Sequence, residues 1–248
     1  MSKSKKKFNI FRFLLKCIIG FFVLSIGSVI IFRFVPVPIT ILMLQRCIEQ
    51  ASSQQDIHLR KKWKPLSELS PNLQLAVVCS EDQNFLTHNG FDFEAIDKAI
   101  EHNEKQKNKK HPRMRGASTI SQQTAKNVFL WPGRTWVRKG LEVYFTVLIE
   151  FFWSKERILE VYLNVIEWGN GVYGAEMAAQ SSLGKSASKL SPIEAGLMAS
   201  VLPNPRKYSL SAPGPFIRKR ANWVARQMQL WGGKLNWENP QSSKEKEK

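Results

Sequence analysis

The sequence predicts a mainly α-helical protein with one membrane-spanning helix near its N-terminus. Three observations support this fold class. An apolar run without charge occupies residues 17–32. Residues that cap helices recur along the rest of the chain, each followed by apolar side chains at helical spacing. No pair of strand-like runs joined by a hairpin turn is evident, and there is no internal repeat.

The apolar run has the length and the flanks of a membrane anchor. Residues 1–12 form a basic tail without an acidic residue, and residues 13–35 are long enough to cross a bilayer. By the positive-inside rule, the tail lies in the cytoplasm and the rest of the chain outside it. A cleaved signal peptide is the alternative, but an AxA-like cleavage site would then follow a shorter apolar region. Pro36, Val37 and Pro38 follow instead, so we expect a single-pass inner-membrane protein with a periplasmic domain.

Helix signals account for most of the chain after the anchor. Residues 36–64 are interpreted as a linker without strong periodicity, 65–235 as the folded domain, and 236–248 as a solvated, disordered tail. A basic segment, 104–115, is interpreted as a flexible loop, with a binding element as the alternative. A last helix is predicted near 216–230. The predicted helix caps are, in chain order, Ser70, Asp92, Ser118, Thr135, Ser154 and Ser191.

The composition fits one large domain with an appendage and an anionic partner. Of the 248 residues 43% are hydrophobic, which excludes a disordered or collagen-like chain. The three cysteines are odd in number and scattered, so no disulfide framework or CxxC metal pattern exists. The 37 basic and 20 acidic residues give a net charge of +17. Outside the cytoplasm, an anionic leaflet or a lipid-linked phosphate explains this excess better than nucleic acid, which we do not expect as a partner.

A carboxylate pair ends the first predicted helix of the domain. Glu81 and Asp82 follow the largely apolar stretch 73–80, so Glu81 lies where a buried element reaches the surface. A partly desolvated glutamate has a raised pKa and can accept or donate a proton. The alternative is that both are solvated acids at a helix end, and the spacing of the residues alone favours this alternative. His88 by itself is more typical of a structural role.

Small polar residues gather in residues 116–127. If Ser118 caps a helix there, the N–H groups of the first turn favour an anion. Gln122 and Lys126 are four residues apart and share a face. An ordinary capped helix is the alternative. The hydroxyl, amide and ammonium groups together slightly favour a site for a phosphate-like group.

Two further stretches carry weaker signals. Arg138 and Glu142 are four residues apart, which predicts an ordinary salt bridge along a helix. The more specific hypothesis is a carboxylate that cations hold in place on an otherwise apolar helix. Residues 155–179 are mostly amphipathic packing. There, Tyr162 is interpreted as core and Asn164 as a side chain that holds a loop.

Taken in order, these stretches resemble the motifs of the family 51 glycosyltransferases, the peptidoglycan glycosyltransferases. The matching patterns are ED..F..H.G, G.STI.QQ..KN, RK..E and K..IL..YLN, and the resemblance covers roughly residues 36–235. With its single membrane span, the chain resembles the monofunctional branch of the family, in which no penicillin-binding domain is expected. The resemblance implies a lysozyme-like fold with a larger head lobe and a smaller, membrane-touching jaw lobe.

The resemblance also implies a reaction and its residues. A lipid-linked glycan would be the donor and lipid II the acceptor, forming a β-1,4 bond with inversion and release of undecaprenyl pyrophosphate. Glu81 matches the general base and Glu142 a second essential carboxylate. Other cell-wall synthesis proteins are left open as partners, and so is Mg²⁺ or Mn²⁺ bound with the pyrophosphate, since the sequence shows no dedicated metal site. The positions that match substrate-binding residues are Ser118, Gln122, Gln123, Lys126, Arg134, Arg138 and Lys139.

Three residues, at two places in the sequence, depart from the family pattern. Ser182 and Leu183 stand where many relatives have an aromatic pair, and Cys79 stands where a small alanine is usual. A lytic enzyme that cleaves finished glycan remains an alternative, although it has no use for clustered pyrophosphate contacts. An inactive scaffold of a cell-wall complex is a further alternative, against which the intact motifs argue.

Overall fold

A computed structural model of the chain describes residues 9–54, 56–109 and 114–238. In this part of the chain the structure has ten α-helices, two short 3-10 turns and three short strands, so the predicted mainly α class is confirmed. Residues 1–35 and 36–248 form two compact units. The division of the domain into head and jaw lobes stays a prediction. The helices are α1 (Ile10–Phe34), α2 (Ile41–Ser52), α3 (Pro71–Glu81), α4 (Phe93–Gln106), α5 (Ile120–Phe129), α6 (Trp136–Phe152), α7 (Lys155–Val165), α8 (Ala175–Leu183), α9 (Pro192–Val201) and α10 (Pro215–Leu230).

The first unit contains the apolar helix α1. It has 25 residues, and its most apolar window has a mean hydropathy of 2.5. By length and composition it is able to cross a membrane. The cytoplasmic placement of the N-terminal tail stays a prediction, and its residues 1–8 lie outside the described part of the chain.

The second unit packs its helices in two groups. Helices α3, α9 and α10 pack against one another, and α5 packs against α6 and α7. Gly196 of α9 shows how closely the first group approaches, since a Cβ at this position would lie 2.8 Å from the carbonyl oxygen of Ala221 on α10. The first group therefore fixes the end of α3, and the second fixes α5 beside it.

Most of the predicted caps are confirmed. The side chains of Ser70, Asp92, Thr135, Ser154 and Ser191 accept hydrogen bonds from first-turn N–H groups. The prediction for Ser118 is wrong by one residue. The neighbouring Thr119 caps α5 instead, in a capping box with Gln122.

The segment interpreted as a linker contains a helix and a strand. Helix α2 begins after Thr40, whose hydroxyl accepts a hydrogen bond from the Met43 N–H. Its buried residues include Gln50, whose amide bonds the backbone of His58. A polar side chain at a buried position hides the helical period, so the hydrophobic pattern does not reveal this helix.

The structure also contains a small sheet, contrary to the prediction of no hairpin. Strand β1 (Arg60–Lys61) pairs in parallel with β3 (Val172–Tyr173), and β3 pairs antiparallel with β2 (Glu167–Gly169). Asn170 and Gly171 form the turn between β2 and β3, an Asn-Gly pair typical of tight hairpins. The strands are too short to give an alternating pattern.

The prediction for Asn164 is confirmed. This residue is fully buried, its side-chain oxygen accepts from the Lys64 N–H at 2.8 Å, and its amide donates to the Lys64 carbonyl at 2.8 Å. The chain before α3 is thereby held against α7. The loop interpretation of the basic segment 104–115 is wrong for residues 104–106, which form the last turn of α4. Residues 110–113 of this segment and residues 239–248 of the predicted tail lie outside the described part of the chain.

Gly171 and Gly184 give a matched test of the hairpin's packing. Both have positive φ, 68° and 66°, but a Cβ at Gly171 would lie 2.0 Å from the His58 carbonyl oxygen, whereas nothing lies within 4 Å at Gly184. We expect Gly184→Ala to lower the free energy of unfolding by about 1 kcal/mol through backbone strain. Gly171→Ala should lower it by roughly 1–3 kcal/mol more through overpacking. Urea unfolding of the full chain in detergent measures both, and equal losses would contradict the close approach.

Candidate active site

A polar cavity of about 240 Å³ opens where α3 ends. Carboxylates, hydroxyls, an aromatic ring and cations meet there, so the cavity offers both proton acceptors and donors. Its lining includes Ser80, Glu81, Asp92, Lys98, Ser118 and Trp223.

Glu81 is the last residue of α3 and faces this cavity. One carboxylate oxygen accepts from the Gln123 amide at 3.3 Å, and the other accepts from the Ser80 hydroxyl at 3.3 Å. Burial raises the pKa of Glu81 above its ordinary value, and the hydrogen bond from Gln123 and the charge of Arg220 only partly oppose the shift. The geometry therefore gives Glu81 the properties of a proton acceptor that is more basic than a solvated glutamate.

A buried tyrosine orients the Gln123 amide toward Glu81. The hydroxyl of Tyr162, a fully buried residue of α7, donates to the Gln123 side-chain oxygen at 3.1 Å. This bond leaves the NH₂ group of Gln123 directed at the glutamate. Burial also raises the pKa of Tyr162 well above its ordinary value, so the hydroxyl stays protonated as a donor.

On the other side, Ser80 connects Glu81 to helix α10. The guanidinium of Arg220 donates to the Ser80 hydroxyl oxygen at 3.0 Å, and that hydroxyl donates to Glu81. A cation is thus held close to the carboxylate without a direct ion pair. Gln123 of α5 and, through Ser80, Arg220 of α10 therefore both contribute to the placement of the Glu81 carboxylate.

Asp82 fixes the junction between α3 and α5. Its buried carboxylate accepts from the Ile120 N–H at 2.9 Å and lies 3.0 Å from His88 Nε2. His88 Nδ1 accepts from the Gly90 N–H, which assigns the ring proton to Nε2. The structural role expected for His88 is therefore confirmed.

Glu142 lies buried on α6 between two cations of the same helix. Its oxygens lie 2.9 Å from Arg138 Nη1 and 2.5 Å from Lys139 Nζ. The Glu142 side chain is only 4% exposed and that of Arg138 10%. Glu142 is thus a carboxylate held by cations, as the more specific of the two hypotheses predicted. A buried ion pair of this kind fixes side-chain positions more firmly than a surface salt bridge.

Lys126 links the two carboxylates electrostatically. It lies half-buried on α5 and, with Gly133, lines a second cavity of about 220 Å³. Burial lowers the pKa of Lys126, while the negative charges of Glu142 and Glu81 partly oppose that shift. The ammonium is thus within electrostatic range of both carboxylates, and also of Arg138 and Lys139. Glu81 lines the first cavity and Lys126 the second, while Glu142 lines neither, so within the described residues the two carboxylates are connected only through their effect on the charge of Lys126.

The remaining predicted residues differ in accessibility. Ser118 is exposed in the lining of the first cavity, and Arg134 is exposed in the turn before α6. Gln122 is buried, and its side-chain oxygen accepts from the Thr119 N–H at 3.0 Å. The structure gives Gln122 a helix-capping role, and its contact with substrate stays a prediction.

Sequence reasoning missed Ser80, Arg220 and the hydroxyl of Tyr162. Tyr162 is core, as interpreted, but its polar end is part of the site. Arg220 lies in a basic stretch, 217–226, whose charge resembles the rest of this basic chain. Nothing in the sequence pairs Arg220 with Ser80, which is 140 residues away.

No three or more His, Cys, Asp or Glu side chains cluster to hold a metal ion within residues 9–54, 56–109 and 114–238. The residues present thus offer no protein cage, and Mg²⁺ or Mn²⁺ bound with substrate pyrophosphate stays a prediction.

Comparison with known proteins decides the family. A family model described as Transglycosylase matches residues 48–229. The chain is 52% identical over 206 residues to the "Biosynthetic peptidoglycan transglycosylase" of Bdellovibrio bacteriovorus, covering 83% of this chain and 80% of that protein. It is 51% identical to the protein of the same name from Chromohalobacter salexigens, covering 90% and 93% of the two chains. The chain belongs to the transglycosylase family.

This assignment confirms the resemblance found in the sequence and makes the protein a glycosyltransferase. The matched region contains both carboxylates, all the cations around them and Arg220.

Arg220 gives a prediction for the pH dependence of this transglycosylase. Its positive charge lowers the pKa of Glu81, so Arg220→Gln should raise that pKa further. If Glu81 is the base, as its match to the family motif implies, it must be deprotonated to act. The acid limb of the pH–rate profile should then move to higher pH, and Arg220→Lys should restore it partly. Arg226→Gln, an exposed change on the same helix, is the control. An acid limb that stays in place in Arg220→Gln would contradict the role of this charge.

Proposed function

We propose that this transglycosylase polymerises lipid II into β-1,4-linked glycan strands of peptidoglycan and releases undecaprenyl pyrophosphate. Three things support the proposal: the peptidoglycan transglycosylases that the chain resembles, the ordered motifs, and the chemistry of the site. The apolar helix α1, with its basic flank, suits an enzyme whose substrates are held in a membrane. The proposed orientation leaves the catalytic unit on the periplasmic side of the inner membrane.

In the proposed reaction Glu81 acts as the general base. The 4-hydroxyl of the acceptor sugar loses its proton to Glu81 while its oxygen attacks the anomeric carbon of the donor. The bond from that carbon to the pyrophosphate oxygen breaks, and its electron pair leaves with the pyrophosphate. Attack opposite the leaving group inverts an α-linked donor to a β-linked product.

The cations near Glu142 have the complementary task. Negative charge grows on the pyrophosphate as it leaves, and Lys126, Arg138 and Lys139 supply positive charge in a partly desolvated place, where it acts strongly. Glu142 holds Arg138 and Lys139 in fixed positions, so little reorganisation is needed during the reaction. The exposed Arg134 and Ser118 are proposed to contact the bound donor.

The observation that carries the proposal is the place of Lys126 on α5, one turn after Gln123, whose amide donates to the proposed base Glu81. The negative charges of Glu81 and Glu142 both favour the protonated form of this partly buried ammonium. A base for the acceptor and positive charge for the leaving group are what glycosyl transfer from a diphosphate requires. A hydrolase acting on finished glycan would need the acid–base group but not the cations.

Polymerisation of labelled lipid II by the full chain in detergent tests the proposal. Glu81→Gln keeps the shape of the side chain but removes its basicity, so we expect turnover to fall by about 10²–10⁴-fold. Glu101→Gln, an exposed change on α4, should leave turnover unchanged. Near-normal turnover in Glu81→Gln would show that another group is the base. Digestion of purified peptidoglycan without polymerisation of lipid II would overturn the proposed reaction.

A further inference from the structure

A third cavity, remote in sequence from both carboxylates, has a different chemical character. It has a volume of about 370 Å³ and lies between the sheet, the end of α8 and the loop after α9. We call it the cationic cleft. Its lining residues are Arg60, Trp168–Asn170, Val172, Ser181, Ser182 and 205–211.

The charged residues that line the cationic cleft are all basic. Arg60, Arg206 and Lys207 line it, and its lining contains no aspartate or glutamate. Outside the lining, the Glu49 carboxylate lies 4.0 Å from Arg206, and the charge of Arg206 also opposes the rise in the pKa of Glu167. The cavity at Glu81, by contrast, has both carboxylates and cations in its lining. Arg60 and Lys207 have no ion pair with a carboxylate within the described residues, so their positive charge is available to an anion.

Hydroxyl groups complete the lining. Ser181, Ser182, Ser209 and Ser211 contribute hydroxyls, as does Tyr208. Together with guanidinium and ammonium groups they form a surface rich in hydrogen-bond donors, which suits the several acceptor oxygens of a phosphate or a carboxylate.

Ser182 gives the cationic cleft part of its space. This position departs from the aromatic pair of the family pattern, and the structure places the small serine in the cleft lining. A larger side chain at this position would reduce the space of the cavity that Ser182 lines.

One buried polar group in the lining of the cationic cleft has no partner. Trp168 is 2% exposed, and its indole N–H has no hydrogen-bond partner among the described residues. Buried polar groups normally have partners, so an unpartnered N–H in the lining of a cationic cavity supports a polar occupant.

We propose that the cationic cleft is a second binding site, separate from the reaction centre, for a ligand bearing a phosphate or a carboxylate group. This proposal goes beyond the proposed function and stands without it. Two sources present this chemistry at a membrane: the phosphate of a lipid headgroup, and the free carboxylates of peptide-substituted glycan.

Calorimetric titration of the full chain in neutral detergent tests the proposal with three probes. Inorganic phosphate tests the anion site itself, glycerol phosphate represents the lipid headgroup, and a disaccharide–peptide with free carboxylates represents the glycan. The same disaccharide–peptide with amidated carboxylates shows whether the charge is needed. Tighter binding of glycerol phosphate or of the disaccharide–peptide identifies the source.

Two variants assign the binding to the cleft. The double change Arg60→Gln and Lys207→Gln should weaken binding of the preferred probe by about tenfold or more. Lys189→Gln with Lys234→Gln, which removes the same charge at exposed positions outside the lining, should weaken it far less. Ser182→Phe should also weaken binding, by filling the space without changing the charge.

Glycosyl transfer, measured in parallel, separates this proposal from the function. If the wild-type chain polymerises lipid II but binds none of the three probes, the cationic cleft is not an anion site. Equal losses in the two double variants would also overturn the proposal, because they would show only an effect of net charge. Binding that depends on Arg60, Lys207 and the space at Ser182 would confirm it, whatever the outcome of the polymerisation assay.

Discussion

The buried carboxylate of Asp82 holds the candidate site together, because it joins the end of α3 to the start of α5. Its oxygens bind the Ile120 N–H and His88, so neither helix can shift without breaking a buried, charge-assisted hydrogen bond. Glu81 precedes Asp82 and Gln123 lies one turn into α5, so this junction sets their separation. Tyr162 on one side and Arg220, through Ser80, on the other then complete the placement of the Glu81 carboxylate.

Burial has opposite effects on the two groups that the proposed chemistry needs. It raises the pKa of Glu81, which makes the carboxylate a better proton acceptor, and lowers the pKa of Lys126, which the neighbouring carboxylates oppose. Glu142 thus has a double role: it fixes Arg138 and Lys139, and its charge favours the protonated form of Lys126. The chain has a net charge of +17, and in the candidate site carboxylates hold some of the basic side chains in position.

Much of this arrangement could be predicted from the sequence, because capping and helical periodicity are local. Five of the six predicted caps form, and the stretches around Glu81, Lys126 and Glu142 lie on the helices expected for them. Helix α2 is not predicted because Gln50 occupies a buried helical position. The small sheet has strands of only two or three residues, too short for an alternating pattern, so the Asn170-Gly171 turn is its one sequence signal. The contacts of Ser80 with Arg220 and of Gln123 with Tyr162 join distant segments, for which a single sequence carries no signal.

The proposed reaction depends on the basicity of Glu81. The most direct measurement is therefore the titration of its carboxyl group in the folded full chain. Carbon-13 NMR of glutamate-labelled protein, with Glu81→Gln to assign the signal, follows this group across pH in detergent. We predict a pKa above the ordinary glutamate value of 4.5, and a further rise when Arg220 is replaced by glutamine. A Glu81 signal that titrates at or below 4.5 would contradict a desolvated general base at the end of α3.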